Sequence, residues 1–221
     1  MKRITIAIDG YSGTGKSSTA KEVAKKLNYQ YIDSGAMYRA CTLYFLNHSI
    51  DLKDNQNIDA ALEAISIELD ASKIFLNGED VSSEIRTMQV NDHVSSISAI
   101  LKVREAMVAQ QQLIGESKGI VMDGRDIGTV VFPEAELKIF MTADPVIRAK
   151  RRQLELSAKG IEEDLDKILN NLLLRDKIDS SRAESPLVKA YGAVEIDTSS
   201  TSLEEQIDII FNSAKSIIYD N

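Results

Sequence analysis

Apolar positions along the chain fall into short buried-type runs separated by helical periods. Ile4-Thr5-Ile6-Ala7-Ile8 is a β-branched run closed by Asp9-Gly10, and it predicts a strand. Over residues 17–27, Ala20, Val23, Ala24 and Leu27 share one face of a helix, with Asn28 as its stop. Residues 29–33 predict a second short strand and residues 36–46 a second helix. The same alternation returns later, with strands at 120–123, 137–142 and 193–197. Between them, Asp144-Pro145 opens a helix running through Arg152, and 165–176 is helical again. A last helix turns Leu203, Ile207, Ile210 and Phe211 inward. Strands alternating with helices predict an α/β fold, a five-stranded parallel sheet with helices on both faces.

The middle of the chain breaks that rhythm. Residues 51–57 are polar and 58–65 helical in period; 65–69 and, less cleanly, 73–81 alternate. Asn77-Gly78 is a tight-turn signal. These predict a small antiparallel element over about 65–85, followed by helices over about 88–97 and 101–116. A single domain spanning 1–221 is therefore expected to carry an α+β insert over about 65–116. Residues 155–164, with Lys159-Gly160, are polar and breakable, so 148–164 reads as a short lid.

The chemistry begins where the first strand ends. Gly10-Tyr11-Ser12-Gly13-Thr14-Gly15-Lys16-Ser17-Ser18 has the Gly-x-x-x-x-Gly-Lys-Ser spacing of a phosphate-binding loop, in the strand-then-helix setting that the motif requires. The glycines let successive backbone N–H groups turn toward an anion. Lys16 supplies a point charge for the β- and γ-phosphates of a nucleotide, Ser17 a hydroxyl for Mg²⁺, and the helix start a positive dipole end. Tyr11 occupies a variable position of the loop, with no assigned side-chain role. Asp123 ends a strand where such proteins place a carboxylate for Mg²⁺, directly or through water.

In doubly wound sheets, ligands sit at the carboxyl ends of the strands. Polar motifs recur at those ends: 10–17, Asp33-Ser34-Gly35, 123–126 and Asp197-Thr198. Arginines gather at Arg39, at Arg125, and from Arg148 through Arg152 and Arg175 to Arg182. Guanidinium groups stay charged when desolvated and contact phosphate in bidentate fashion.

Composition narrows the partners. The 221 residues carry a net charge of −8, against the basic face of a nucleic-acid binder, although a local arginine cluster still suits a small anion. No apolar stretch approaches the roughly 20 residues of a membrane span. The single Cys41 forms no internal disulfide and reads as a buried structural thiol, so a reducing, cytoplasmic setting is expected. His48 and His93 lack metal-ligand spacing. A monomer without nucleic-acid or membrane partners is expected.

Three further motifs resemble bacterial cytidylate kinases, in order along nearly the whole chain. They are Asp33-Ser34-Gly35-Ala36-Met37-Tyr38-Arg39; Gly78-Glu79-Asp80-Val81-Ser82 with Glu84-Ile85-Arg86-Thr87; and Asp123-Gly124-Arg125-Asp126-Ile127-Gly128-Thr129-Val130-Val131-Phe132-Pro133. The resemblance implies a P-loop kinase fold with a nucleoside-monophosphate-binding insert and a short lid. It implies transfer of a phosphoryl group from ATP, with Mg²⁺, to CMP or dCMP. Carried over by position, Ser34, Arg39, Arg125 and Arg182 would hold the acceptor phosphate. Tyr38, Arg175 and Asp179 would surround the ribose, and Ser95, Arg104 and Asp126 would face cytosine. Lys16, Arg39, Arg125, Arg148, Arg152 and Arg182 are the expected catalytic cations. The family is richer in arginine between Arg175 and Arg182, where this chain has Lys177, Ile178, Ser180 and Ser181. The alternatives are another small-molecule kinase such as a shikimate-type kinase, a regulatory nucleotide switch, and a nucleic-acid-binding P-loop protein, the last disfavoured by charge.

Overall fold

The computed structural model describes residues 2–70, 73–158 and 160–219. Ala71 and Ser72 of the expected antiparallel element, and Lys159 of the expected lid, lie outside the described residues. In chain order the elements are β1 (Thr5–Gly10), α1 (Lys16–Leu27), β2 (Gln30–Asp33), α2 (Ser34–Asn47), α3 (Asn55–Glu63), β3 (Ile67–Asp70), β4 (Lys73–Leu76) and β5 (Glu79–Asp80). Then come α4 (Met88–Ser98), α5 (Leu101–Gly115), β6 (Ile120–Gly124), β7 (Leu137–Thr142), α6 (Pro145–Ser157), α7 (Leu165–Ser181), β8 (Val194–Asp197) and α8 (Leu203–Tyr219).

The five-stranded sheet has the order β2-β6-β1-β7-β8. β1 pairs in parallel with β6 on one side and β7 on the other, and β7 pairs in parallel with β8. Every residue of β1 is buried, which is why its sequence shows no apolar–polar alternation over Ile6-Ala7-Ile8. Ile4, Ile6 and Ile8 pack with Ala20, Val23 and Ala24 of α1 and with Ile207, Ile210 and Ala214 of α8. α1 ends at Asn28, whose left-handed φ of 54° lets its N–H reach back to Ala24 and Lys25 carbonyls.

The chain divides into two compact units, one of residues 1–31 with 115–221 and one of residues 32–114. The second has its own core. Ala36, Met37, Ala40, Cys41 and Phe45 of α2 join Ile58, Ile74, Leu76, Ile97, Val103 and Met107. Its β3-β4-β5 sheet is antiparallel, and the turn after β4 puts Asn77 and Gly78 at φ 51° and 84°. This unit begins at Ile32, well before the expected insert boundary near 65, because α2 buries its apolar face in the second core. Cys41 lies fully buried there, and burial pushes its thiol up to about 12, so it is inert at neutral pH.

Three elements differ from the sequence reading. α3 starts a turn earlier, at Asn55, because the Asp54 side chain accepts from the Gln56 and Asn57 N–H groups. α6 continues to Ser157, through part of the stretch expected to break. α7 runs to Ser181 rather than Asp176; its polar C-terminal third is held by buried Asp176 and Asp179.

Candidate active site

The phosphate loop leaves β1 at Gly10, where the backbone has φ +147° and a Cβ would stand 2.1 Å from the Met141 carbonyl oxygen. Only glycine lets β1 and β7 approach at that point. α1 begins at Lys16, so the first N–H groups of the helix face the loop. The Lys16 ammonium folds back to the Tyr11 carbonyl at 2.7 Å, and the Thr14 hydroxyl donates to the same oxygen at 3.0 Å. Burial, then the nearby Arg125 charge, pull Lys16 down to about 7, against the attraction of Asp123, Asp9 and Asp176. A bound polyphosphate would restore its charge by supplying the missing anion.

The Ser17 hydroxyl donates to Asp123 Oδ2 at 2.8 Å, and the Tyr31 hydroxyl to Asp123 Oδ1 at 2.8 Å. The serine and aspartate expected to serve Mg²⁺ therefore touch. Their all-oxygen donors suit a hard cation, and two protein ligands with water and phosphate oxygens are the usual Mg²⁺ arrangement. No group of three or more His, Cys, Asp or Glu residues suited to a metal occurs among the described residues.

The arginines that follow β6 and α7, Arg125 and Arg182, form one cluster. Arg125 Nε donates to Asp179 Oδ2 at 2.8 Å. Arg182 Nη2 lies 3.7 Å from Asp126 Oδ1 and its Nη1 3.9 Å from Asp179 Oδ1, all within side chains at most 5% exposed. Burial works most strongly against the Arg125 charge, but the Asp179 carboxylate, with Asp176 and Asp123 behind it, raises its pKa on balance. Arg175 projects from α7, half-buried. Of the α6 arginines, Arg148 is buried and tied to Ser12 and Asp176, while Arg152 is 31% exposed and pairs with Glu155.

The unit of residues 32–114 gathers the remaining candidates on α2, α4 and α5. Asp33 caps α2 by accepting from the Ala36 N–H at 2.8 Å, and its other oxygen pairs with Arg39 at 3.2 Å. The Arg104 guanidinium stacks 5.4 Å from the Tyr38 ring centroid and donates to the Ser98 carbonyl at 3.2 Å. Ser34 and Ser95 are buried.

Asp9 has no counterpart among the sequence candidates. Its carboxylate accepts the Ile127 N–H at 2.8 Å and the Gly128 N–H at 2.7 Å. Those donors open the π-helical turn Ile127–Val131, whose own N-cap residue, Asp126, makes no side-chain cap. Asp9 thus fixes the backbone just after Arg125 and Asp126. The sequence signal is an acidic residue directly after the apolar run Ile6-Ala7-Ile8. Asp176 and Tyr31 were missed as well; each contact spans too many residues for spacing to reveal it.

Burial pushes the Asp9 carboxyl up to about 7 from 3.8, although the Gly128 and Ile127 N–H bonds favour its ionised form. With the folded value raised, the native state holds a proton there that the unfolded chain has lost, so this stability contribution is full below about 3.8 and disappears as pH rises through about 7. Asp9→Asn cannot titrate. The unfolding free energy of wild type minus that of Asp9→Asn should fall by roughly 2–3 kcal/mol between pH 5 and pH 8 in urea titrations. A constant difference would contradict the burial assignment.

A glycine-rich cradle between the central strand of a parallel sheet and a helix, with a lysine, a serine–aspartate pair and a buried arginine cluster, defines a P-loop kinase. The cytidylate kinase family model matches residues 6–216. A cytidylate kinase of Bacteroides thetaiotaomicron is 54% identical over 215 residues, covering 93% of this chain and 94% of its own length. One of Cytophaga hutchinsonii is 51% identical over 220 residues, covering 97% and 94%. Among solved structures, an uncharacterized protein from Eubacterium ventriosum aligns over 97% of this chain and 99% of its own at a TM-score of 0.53 and 14% identity, a likeness of fold. The chain belongs to the cytidylate kinase family.

Proposed function

We propose that this protein transfers the γ-phosphoryl group of ATP to CMP or dCMP, giving ADP and CDP or dCDP. The observation that carries the reading is the match to cytidylate kinases over nearly all of the chain. The acceptor is a phosphate monoester with a second pKa near 6, largely dianionic at pH 7. Its oxygen attacks the γ-phosphorus in line, the bond to the bridging oxygen breaks, and ADP leaves with the electron pair. No general base is required, so the task is to align two polyanions.

Lys16 and the loop N–H groups hold the donor phosphates. Ser17 and Asp123 would hold Mg²⁺, which when bound neutralises charge on the β- and γ-phosphates. Arg39, Arg125 and Arg182, with Ser34, hold the acceptor phosphate, and a lid arginine, Arg148 or Arg152, meets the transferring group. Tyr38, Arg175 and Asp179 frame the ribose; Ser95, Arg104 and Asp126 read the base. Asp179 and Asp126 orient Arg125 and Arg182 before substrate arrives. The segment 65–116 serves as the acceptor-binding insert and 148–164 as the lid, in a cytoplasmic monomer. No helix among the described residues is long and apolar enough to cross a membrane. Incubation with γ-labelled ATP, Mg²⁺ and CMP should place the label on the terminal phosphate of CDP. Label released as inorganic phosphate, with no CDP formed, contradicts the reading.

Closure should follow occupancy of both sites, since only phosphates give the arginines reason to converge. Amide exchange in 65–116 and 148–164 should slow when a bisubstrate analogue binds. Unchanged exchange in both segments would remove the lid and insert roles.

A further inference from the structure

We infer that Asp176 is a positioning residue for the phosphate loop, acting chiefly through Arg148, so that the two form a latch on the Ser12 backbone. The inference rests on the kinase reading above and divides the lid arginines by role. Arg148 Nη1 donates to the Ser12 carbonyl at 3.0 Å and to Asp176 Oδ2 at 2.6 Å, while its Nε donates to the Ala143 carbonyl at 3.1 Å. The Ser12 N–H points to Asp176 Oδ1 at 3.5 Å. Both polar groups of the Ser12 backbone therefore meet this one ion pair.

Contact extends along the loop. A Cβ at Gly13 would stand 3.2 Å from Arg148 Cβ, and the Arg148 guanidinium lies 5.5 Å from the Tyr11 ring centroid. The Arg148 and Asp176 side chains are 4% and 11% exposed. A guanidinium so buried is stable there only beside its carboxylate, and removing that partner leaves an uncompensated charge. Asp176 is thus what keeps Arg148 on the loop. Arg148 spends its donors on carbonyls of the loop and of the segment after β7, which is how a group sets backbone pose rather than how it meets a transferring phosphoryl. Arg152 is the contrast: half-exposed and paired with an exposed glutamate, it can be redirected to phosphate at small cost.

A loop held in its binding pose takes up ATP without first being ordered. Loss of the latch should therefore weaken ATP and spare CMP, because Asp179, one turn further along α7, still holds Arg125 and Arg182. Asp176→Asn keeps an acceptor and the shape of the side chain. It should raise KM for ATP at least about tenfold, the usual scale for losing one charge-assisted buried bond, while KM for CMP moves less than about twofold. Asp176→Glu should recover part of the loss. In the absence of any nucleotide, amide exchange over residues 11–15 should speed up in Asp176→Asn while exchange in α8 stays as in wild type. Asp176→Ala placed on Arg148→Ala should cost clearly less than Asp176→Ala alone, since the two share the Ser12 contact, with a remainder from the attraction of Asp176 for Lys16.

Unchanged KM for ATP together with unchanged exchange over 11–15 in folded Asp176→Asn overturns the latch. So do additive penalties of the two alanine variants, or equal rises in both KM values. Wild-type protein without CMP-dependent turnover overturns the kinase reading instead, and the nucleotide-free exchange measurement still decides the latch.

Discussion

Lys16→Met is expected to lower kcat by at least about 10²-fold, the scale of losing one preorganised donor aimed at transition-state charge. Met matches the lysine stem in length, and the site is 5% exposed, so packing survives. The free protein carries that ammonium at a desolvation penalty large enough to pull it down to about 7. The variant should consequently be no less stable than wild type without nucleotide. That pairing of outcomes separates chemistry from folding. A purified, folded Lys16→Met protein with near-normal kcat would remove the phosphate-loop assignment.

Asp126→Ala is expected to cost CMP at least about tenfold in kcat/KM and to narrow the preference for CMP over UMP. Cytosine presents an amino donor where uracil presents a carbonyl, and a carboxylate accepts only from the first. Facing uracil, two acceptors would be left unpaired at roughly 1–3 kcal/mol each, about a decade in rate for every 1.4 kcal/mol. The structure adds a competing route: Asp126 Oδ1 also lies 3.7 Å from Arg182, the arginine proposed for the acceptor phosphate. If that contact were its whole role, CMP and UMP would fall together and their ratio would hold. Asp126→Asn sharpens the test, because its amide offers either a donor or an acceptor to the base. Retention of the full wild-type ratio in Asp126→Ala would pass base reading to Arg104, Ser95 or pocket shape.

Local signals were legible where a strong period meets a glycine-rich turn. β1, the loop and α1 follow from a buried run and a spaced motif, and β7 matches its expected span 137–142. What failed to show was which core a helix joins. α2 follows a strand, as any βα unit does, and its apolar positions say only that one face is buried. The end of α7 was hidden because Asp176 and Asp179 occupy buried positions as ion-paired carboxylates, which breaks the apolar period. The arginines stood out by number, but their partners did not. Asp9 reaches residues 127 and 128, and Arg148 reaches Ser12, through strand order rather than sequence distance. The π-helical turn Ile127–Val131 belongs to the same class, since its cap comes from β1.

ADP release measured across CMP, dCMP, UMP, AMP, GMP and shikimate, with ATP and Mg²⁺ fixed, tests the central claim most directly. CMP and dCMP should be turned over best, with CMP ahead of UMP by at least about tenfold in kcat/KM. Equal rates across the nucleotides, faster turnover of shikimate, or ADP release indifferent to any acceptor would contradict it.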